Sequence, residues 1–126
     1  MRALVIDDSR AMRMILTRIL NEAGFTDIAQ AGDGQQALDV LAAGPLPAIA
    51  LVDWNMPVMD GLTFVTACRA NPDYRGITLM MVTTESEQGQ IVRALAAGAH
   101  EYVIKPFTAD AIIDKLALLG LVGVST

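Results

Sequence analysis

Three stretches of the chain are apolar without interruption: Ala3 to Ile6, Ala48 to Val52 and Leu79 to Val82. Short apolar runs that do not alternate with polar residues, and that end at charges or turn residues, read as strands covered on both faces. Tyr102 to Ile104 is shorter but β-prone, and Asp27 to Ala31 carries the weaker pattern of an edge strand. Between these runs the period changes to that of a helix. Met12, Ile15, Leu16, Ile19 and Leu20 have helical spacing, as do Ala37, Leu38 and Leu41, then Leu62, Val65 and Cys68, then Ile91, Val92 and Leu95, and last Ile112, Ile113, Leu116 and Leu119. Gly24, Gly44 and Gly98 each follow a helical stretch, where a residue without Cβ closes the helix most easily, and Pro45 forbids continuation. Thr108, before Asp110, reads as the N-cap of a final helix that the apolar tail extends from Ala109 to Val124.

Strand and helix thus alternate five times in 126 residues. That pattern is α/β: five parallel strands in a doubly wound sheet with five helices on its two faces. One domain over residues 1–126 is expected, with no linker, repeat or output domain. Nine basic and fourteen acidic side chains leave a net charge of −5. This speaks against nucleic acid as a partner, because phosphate neutralisation needs a basic face. The longest uncharged run, residues 40 to 52, has 13 residues and contains Pro45 and Pro47, short of the roughly 20 apolar residues that span a membrane. Arg2, Asp7 and Asp8 interrupt the N-terminus before a secretory segment could form, so a cytoplasmic location is expected. Cys68, the single cysteine, has no disulfide partner, and its helical spacing with Leu62 and Val65 makes it a core residue.

A doubly wound sheet opens its ligand crevice beyond the carboxyl ends of its strands. There the chain places Asp7 and Asp8 after the first strand, Asp53 after the third, Thr83 and Thr84 after the fourth, and Lys105 with Pro106 after the fifth. Crowded carboxylates repel one another unless a cation sits among them. Oxygen donors with no His or Cys nearby suit Mg²⁺ and not zinc or copper. An aspartate beside such a cation, faced by a hydroxyl and an ammonium, suits phosphoryl transfer onto Asp53. Its transition state spreads charge over the phosphoryl oxygens, where Lys105 and Thr83 could stabilise it from different directions.

The segments LVIDDSRAMR, DWNMPVMDG, MMVTTE and EYVIKPF, in this order and spacing, resemble the receiver domain of two-component response regulators, nearest to its single-domain chemotaxis members. The resemblance covers nearly the whole chain. It implies a flavodoxin-like sheet of order 2-1-3-4-5, with Asp53 as phosphoacceptor. It also implies Mg²⁺ held by Asp8 and Asp53, with Asp7 acting largely through water and the Asn55 backbone carbonyl as a further ligand. Thr83 and Lys105 would contact the phosphoryl group, the Lys105–Pro106 bond would be cis, and Tyr102 would match the family's aromatic switch. The implied function is that of a stand-alone response regulator. It accepts a phosphoryl group from a sensor histidine kinase or phosphotransfer protein and signals through phosphorylation-dependent protein binding in chemotaxis; a phosphate sink or an adaptor for another process is the alternative. Such a domain is not an enzyme beyond catalysing its own phosphorylation and dephosphorylation. Asn55 and Glu85 would flank the water that ends the signal and tune its lifetime. Thr83, drawn toward the added charge, would let Tyr102 turn inward and remodel the surface of the fourth helix, fifth strand and fifth helix.

Other readings are weaker on these residues. Asp7 and Asp8 could form a solvated turn that caps the first helix, but Asp53 and Lys105 stand at neighbouring strand ends. An aspartyl phosphatase of the haloacid-dehalogenase type needs a second Asp where Asn55 stands, and an FMN carrier would find its phosphate repelled by Asp7 and Asp8. His100 reads as a surface loop residue, and Trp54, the only tryptophan, as a reporter beside Asp53. On the first helix, Met12, Met14 and Arg18 form the face on which a kinase would dock by the same resemblance. Two features depart from the family pattern: the apolar last helix, which suggests burial against a partner or in a homodimer, and Gly89 within the fourth helix.

Overall fold

The computed structural model describes residues 1–121. Strands β1 (Arg2–Ile6), β2 (Asp27–Ala31), β3 (Ile49–Val52), β4 (Thr78–Thr83) and β5 (Glu101–Ile104) pair in parallel in the order β2-β1-β3-β4-β5. The helices are α1 (Arg10–Glu22), α2 (Gly34–Ala43), α3 (Gly61–Ala70), α4 (Gln88–Ala97) and α5 (Ala109–Leu118), with a 3₁₀ turn at Pro72–Tyr74. The α/β class, the strand order and the five helices are those expected.

The uninterrupted apolar strands have a direct cause. Leu4, Ile6, Ala50, Val52, Leu79 and Met81 pack toward α2, α3 and Ala94 of α4, whereas Ala3, Val5, Ile49, Leu51, Met80 and Val82 pack toward α1 and α5. Successive side chains of one strand therefore serve two cores, and neither face tolerates a polar residue. Cys68 lies in the first core, where burial pushes its thiol up to about 11 and keeps it unreactive.

Most helix starts are set by capping side chains. Ser9, Asp33, Asp60 and Thr108 each accept a hydrogen bond from a backbone N–H in the first turn of the helix that follows, a cap generally worth about 1 kcal/mol. Ser9 does this for α1, so the carboxylates of Asp7 and Asp8 are not used as caps. Helix ends are equally local. At Gly24 and Gly120 the backbone takes φ of 103° and 72°, and the next residue, Phe25 or Leu121, donates back to Leu20 or Leu116. Both are closures that a residue with a side chain adopts poorly.

Several sequence expectations are corrected. The last helix ends at Leu118, closed by Gly120; positions 122–124 of the expected helix lie outside the described residues. Gly89 falls in the first turn of α4, after Glu87, and not in its interior, so the interior glycine cost does not apply. Ile15, Val92 and Leu95, whose spacing matched a core face, are exposed. Helix α4 buries only Ala94 among its residues, so Val92 and Leu95 face solvent while Ile91 is half-buried. On α1, Met12 packs against the core while Met14 and Ile15 face solvent. Of the residues expected on the docking face, Met14 and Arg18 are exposed and Met12 is half-buried.

Val58, in the loop between β3 and α3, has φ of +67° and is 83% exposed. A β-branched side chain is strained in this region, and with so little of it packed there is no compensating burial. Val58→Asn is expected to raise stability by about 1 kcal/mol, because Asn tolerates this conformation better. Thermal unfolding should show this as an upward shift of the midpoint.

Candidate functional site

Parallel pairing brings the carboxyl ends of the strands to one edge. The backbone N–H of Asp7 donates to Ala31 at 3.1 Å and that of Asp53 donates to Ile6 at 2.9 Å, so the ladder extends one residue past β1 and β3. Both carboxylates are thereby fixed at the sheet edge. Oxygens of Asp7, Asp8 and Asp53 lie within 4.8 Å of one another. Asp7 is buried, Asp53 is at the margin of burial, and Asp8 is exposed.

Lys105, leaving β5 before a cis bond to Pro106, bridges this group. Its Nζ lies 2.8 Å from Asp7 Oδ2 and 3.4 Å from Asp53 Oδ2. Asp7 Oδ1 accepts from the Ser9 amide at 2.8 Å, and Asp53 Oδ1 accepts from the Trp54 amide at 2.8 Å. The other side of Asp7 is also held: Arg13 of α1 donates through Nη1 to the Asp7 carbonyl at 2.7 Å. Burial raises the Asp53 carboxyl above its ordinary value, opposed first by the Lys105 charge and then by the Thr83 hydroxyl, with Asp7 adding to the rise. A folded value above the unfolded one means that ionised Asp53 costs stability at neutral pH, and that the cost disappears as pH falls below the unfolded value. Asp53→Asn should therefore unfold at a higher temperature than wild type at pH 7 in chelator, with the gap closing toward pH 3.

Thr83, Asn55, Glu85, Tyr102 and Trp54 gather around this centre, whereas His100 lies at the opposite, amino end of β5. Thr83 is fully buried at the end of β4, and its Oγ1 accepts from the Glu85 amide at 3.3 Å. Asn55 Nδ2 donates to Glu85 Oε1 at 3.0 Å, linking the loops after β3 and β4. Tyr102 is half-buried against the α3 and α4 side of the core, and its hydroxyl donates to the Glu85 carbonyl at 2.7 Å. Burial, followed by Glu85 and Asp53, raises the Tyr102 phenol, which keeps it a donor. Trp54 is buried beneath Arg93 of α4, whose guanidinium carbon sits 5.9 Å from the ring centre. His100 is exposed, as expected, but its ring is in use: Nδ1 accepts from the Leu79 amide at 3.1 Å.

Two contributors were missed from sequence. Gly61 opens α3 against the back of Asp53: a Cβ there would overlap the Asp53 carbonyl oxygen and come within 3.0 Å of Trp54 Cα. Its signal was the glycine directly after the capping Asp60 in DWNMPVMDG. Arg13 was the last residue of LVIDDSRAMR, six positions from Asp7, and only the turn into α1 shows that it reaches back.

The donor set is all oxygen and acidic, with a lysine as counter-charge, and among the described residues no His or Cys joins the cluster. It fits a hard divalent cation. No helix among the described residues is long and apolar enough to cross a membrane.

The model of the response regulator receiver domain family matches residues 3–117. The chain is 40% identical over 116 residues to the chemotaxis protein CheY of Pseudomonas aeruginosa, covering 92% of this chain and 93% of the relative. It is 37% identical over 119 residues to CheY1 of Helicobacter pylori, covering 94% and 96%. The solved structure of Vibrio cholerae CheY4 superposes with a TM-score of 0.84 at 32% identity, covering 93% of this chain and 96% of that one. A shared fold could arise without a shared family, but identity at this level along nearly the full length, together with the family match, does not, and the chain belongs to the response regulator receiver domain family.

Proposed function

We propose that this CheY-like receiver takes a phosphoryl group from the phosphohistidine of a sensor kinase or phosphotransfer protein onto Asp53 and passes the signal on by protein contact, in chemotaxis. The observation that carries the reading is the convergence of three carboxylates and one ammonium at the sheet edge. Asp8 and Asp53, the Asn55 carbonyl, and Asp7 less directly would hold Mg²⁺. When bound, that ion supplies positive charge to the carboxylates and to the phosphoryl oxygens. A carboxylate oxygen of Asp53 bonds to phosphorus as the bond to the donor nitrogen breaks, and the electron pair leaves with the imidazole. Trp54's amide orients the Asp53 carboxylate, while Lys105 and Thr83 stand where charge grows on the transferred group.

The same residues serve the reverse half of the cycle. Water attacks the phosphorus and Asp53 leaves as a carboxylate; the Asn55–Glu85 hydrogen bond spans its approach, so both side chains set the lifetime of the phosphorylated state. The output surface is the face of α4, β5 and α5, where Val92, Leu95, Ile104 and Leu118 are exposed. Tyr102 links it to the site through the Glu85 carbonyl. A partner protein bound there gives signalling. A second copy bound there through the apolar last helix gives a homodimer, which the dependence of sedimentation on protein concentration separates from it.

Trp54 provides the test. Its fluorescence should change saturably with Mg²⁺ and again with beryllium fluoride or acetyl phosphate, and Asp53→Ala should abolish the second change. Replacing Asn55 and Glu85 together should alter the hydrolysis rate of the phosphorylated protein. No response of the folded wild type to either addition would refute the reading.

A further inference from the structure

The geometry points to Arg13 as a positioning residue of the metal site, one that holds the turn between β1 and α1 so that the carboxylates of Asp7 and Asp8 face the cation. The inference rests on the Mg²⁺ reading above and deepens it. Asp7 is 1% exposed, so its carbonyl lies beyond the reach of bulk water and needs a donor from the protein. Arg13 Nη1 supplies it at 2.7 Å, a charge-assisted bond. The guanidinium is fixed from its other edge, where Nε donates to Gln30 Oε1 at 3.1 Å, and Gln30 donates in turn to Thr17 Oγ1 at 3.5 Å. Gln30 belongs to β2, so one planar group joins α1, the end of β1 and the neighbouring strand.

What this does to the carboxylate follows from the bonds of Asp7. Its amide is held by Ala31, its carbonyl by Arg13, and its Oδ1 by the Ser9 amide, which leaves Oδ2 directed at Lys105 and the cluster. Releasing the carbonyl frees the peptide between Asp7 and Asp8 to rotate, and both carboxylates move with it. Groups behind a ligand that fix its direction are commonly worth about 10-fold to 100-fold in metal affinity.

Charge and position make opposite predictions here. Arg13 carries a positive charge close to an acidic cation site, so by Coulomb's law alone its removal tightens Mg²⁺ binding. If its work is to hold the turn, removal weakens binding although a repelling charge has gone. Mg²⁺ titrations followed by Trp54 fluorescence should therefore be run on wild type, Arg13→Ala, Arg13→Lys and Gln30→Ala. Amide hydrogen exchange at Ser9 in the metal-free proteins gives a second readout that needs no cation.

The expected result is about tenfold weaker Mg²⁺ binding in Arg13→Ala, with faster exchange of the Ser9 amide. Arg13→Lys should recover part of the affinity, and Gln30→Ala should fall between it and wild type. Equal or tighter Mg²⁺ binding by folded Arg13→Ala, or unchanged exchange at Ser9, overturns the proposal. If Arg13→Ala does not fold, unchanged affinity in both Arg13→Lys and Gln30→Ala overturns it instead. A wild type that does not respond to Mg²⁺ removes the metal reading itself, whereas a responding wild type with an indifferent Arg13→Ala removes only the role of Arg13.

Discussion

Gly61→Ala should cost about 3 kcal/mol of stability and remove most of the response of Asp53 to a phosphoryl donor, although it adds a single methyl group. The reason is steric and directional. The added Cβ would overlap the carbonyl oxygen of Asp53, with the carbonyl carbon at 2.9 Å and Trp54 Cα at 3.0 Å. All three are backbone atoms, so no side chain can swing away. Either α3 lifts from the sheet, losing the bond from the Gly61 amide to the Trp54 carbonyl at 2.8 Å, or the Asp53 peptide shifts and takes its carboxylate out of line with Lys105. The first outcome lowers the thermal midpoint and the second lowers the rate of phosphorylation; circular dichroism on heating and acetyl phosphate labelling separate them. Gly89→Ala is the control. A Cβ at Gly89 meets open space in the first turn of α4, so the same substitution there should be neutral or stabilising by up to about 1 kcal/mol.

Gly61 also marks the limit of what could be read from sequence. The strands were legible because a sheet covered on both faces leaves an uninterrupted apolar signature, and the capping Thr108 because its hydroxyl acts on residues three positions away. Asp7, Asp8, Asp53, Thr83 and Lys105 were legible because parallel topology sends every strand's carboxyl end to one edge. Close approach between elements distant in sequence leaves no such trace. Nothing in the sequence sets Gly61 apart from other turn residues, or Arg13 apart from other helical charges. Helix periodicity failed where helix packing is shallow: the spacing of Ile91, Val92 and Leu95 is that of a core face, yet α4 rests on Ala94. The apolar tail after Leu116 looked helical because hydrophobicity does not reveal that Gly120 takes a positive φ and closes the helix.

The same contrast separates two kinds of residue at the sheet edge. Caps and core side chains stabilise the fold they belong to. The acidic cluster opposes it: Asp53 is raised above its ordinary value by burial, and the carboxyl group of Asp7 is buried beside it. Natural sequences tolerate such conflict where a site needs it, because a group that is uncomfortable in the resting state gains most from an incoming cation or phosphoryl group.

Lys105 moderates that conflict, and Lys105→Met should show how much rests on it. The substitution keeps most of the aliphatic stem and deletes the ammonium that lies 2.8 Å from Asp7 and 3.4 Å from Asp53. Asp7 is then a buried carboxylate whose remaining side-chain partner is the Ser9 amide, and breaking a buried pair from one side commonly costs about 3 kcal/mol or more. Two additions should reduce the deficit. Mg²⁺ binding to the same carboxylates restores positive charge and stabilises by linkage, and acid protonates Asp53, whose carboxyl is already raised by burial and whose charge the lysine had offset. A deficit indifferent to both would mean that the lysine acts by packing. The kinetic loss should persist when stability is restored. On the proposed mechanism Mg²⁺ would occupy the carboxylate side and the ammonium would face charge that grows as phosphorus transfers, and deleting one such group generally slows a reaction about 100-fold or more. Acetyl phosphate labelling of Lys105→Met at saturating Mg²⁺, below its melting range, isolates that loss: labelling at the wild-type rate would confine Lys105 to the resting state, and slow labelling of a folded, Mg²⁺-bound protein would assign it to the transfer itself.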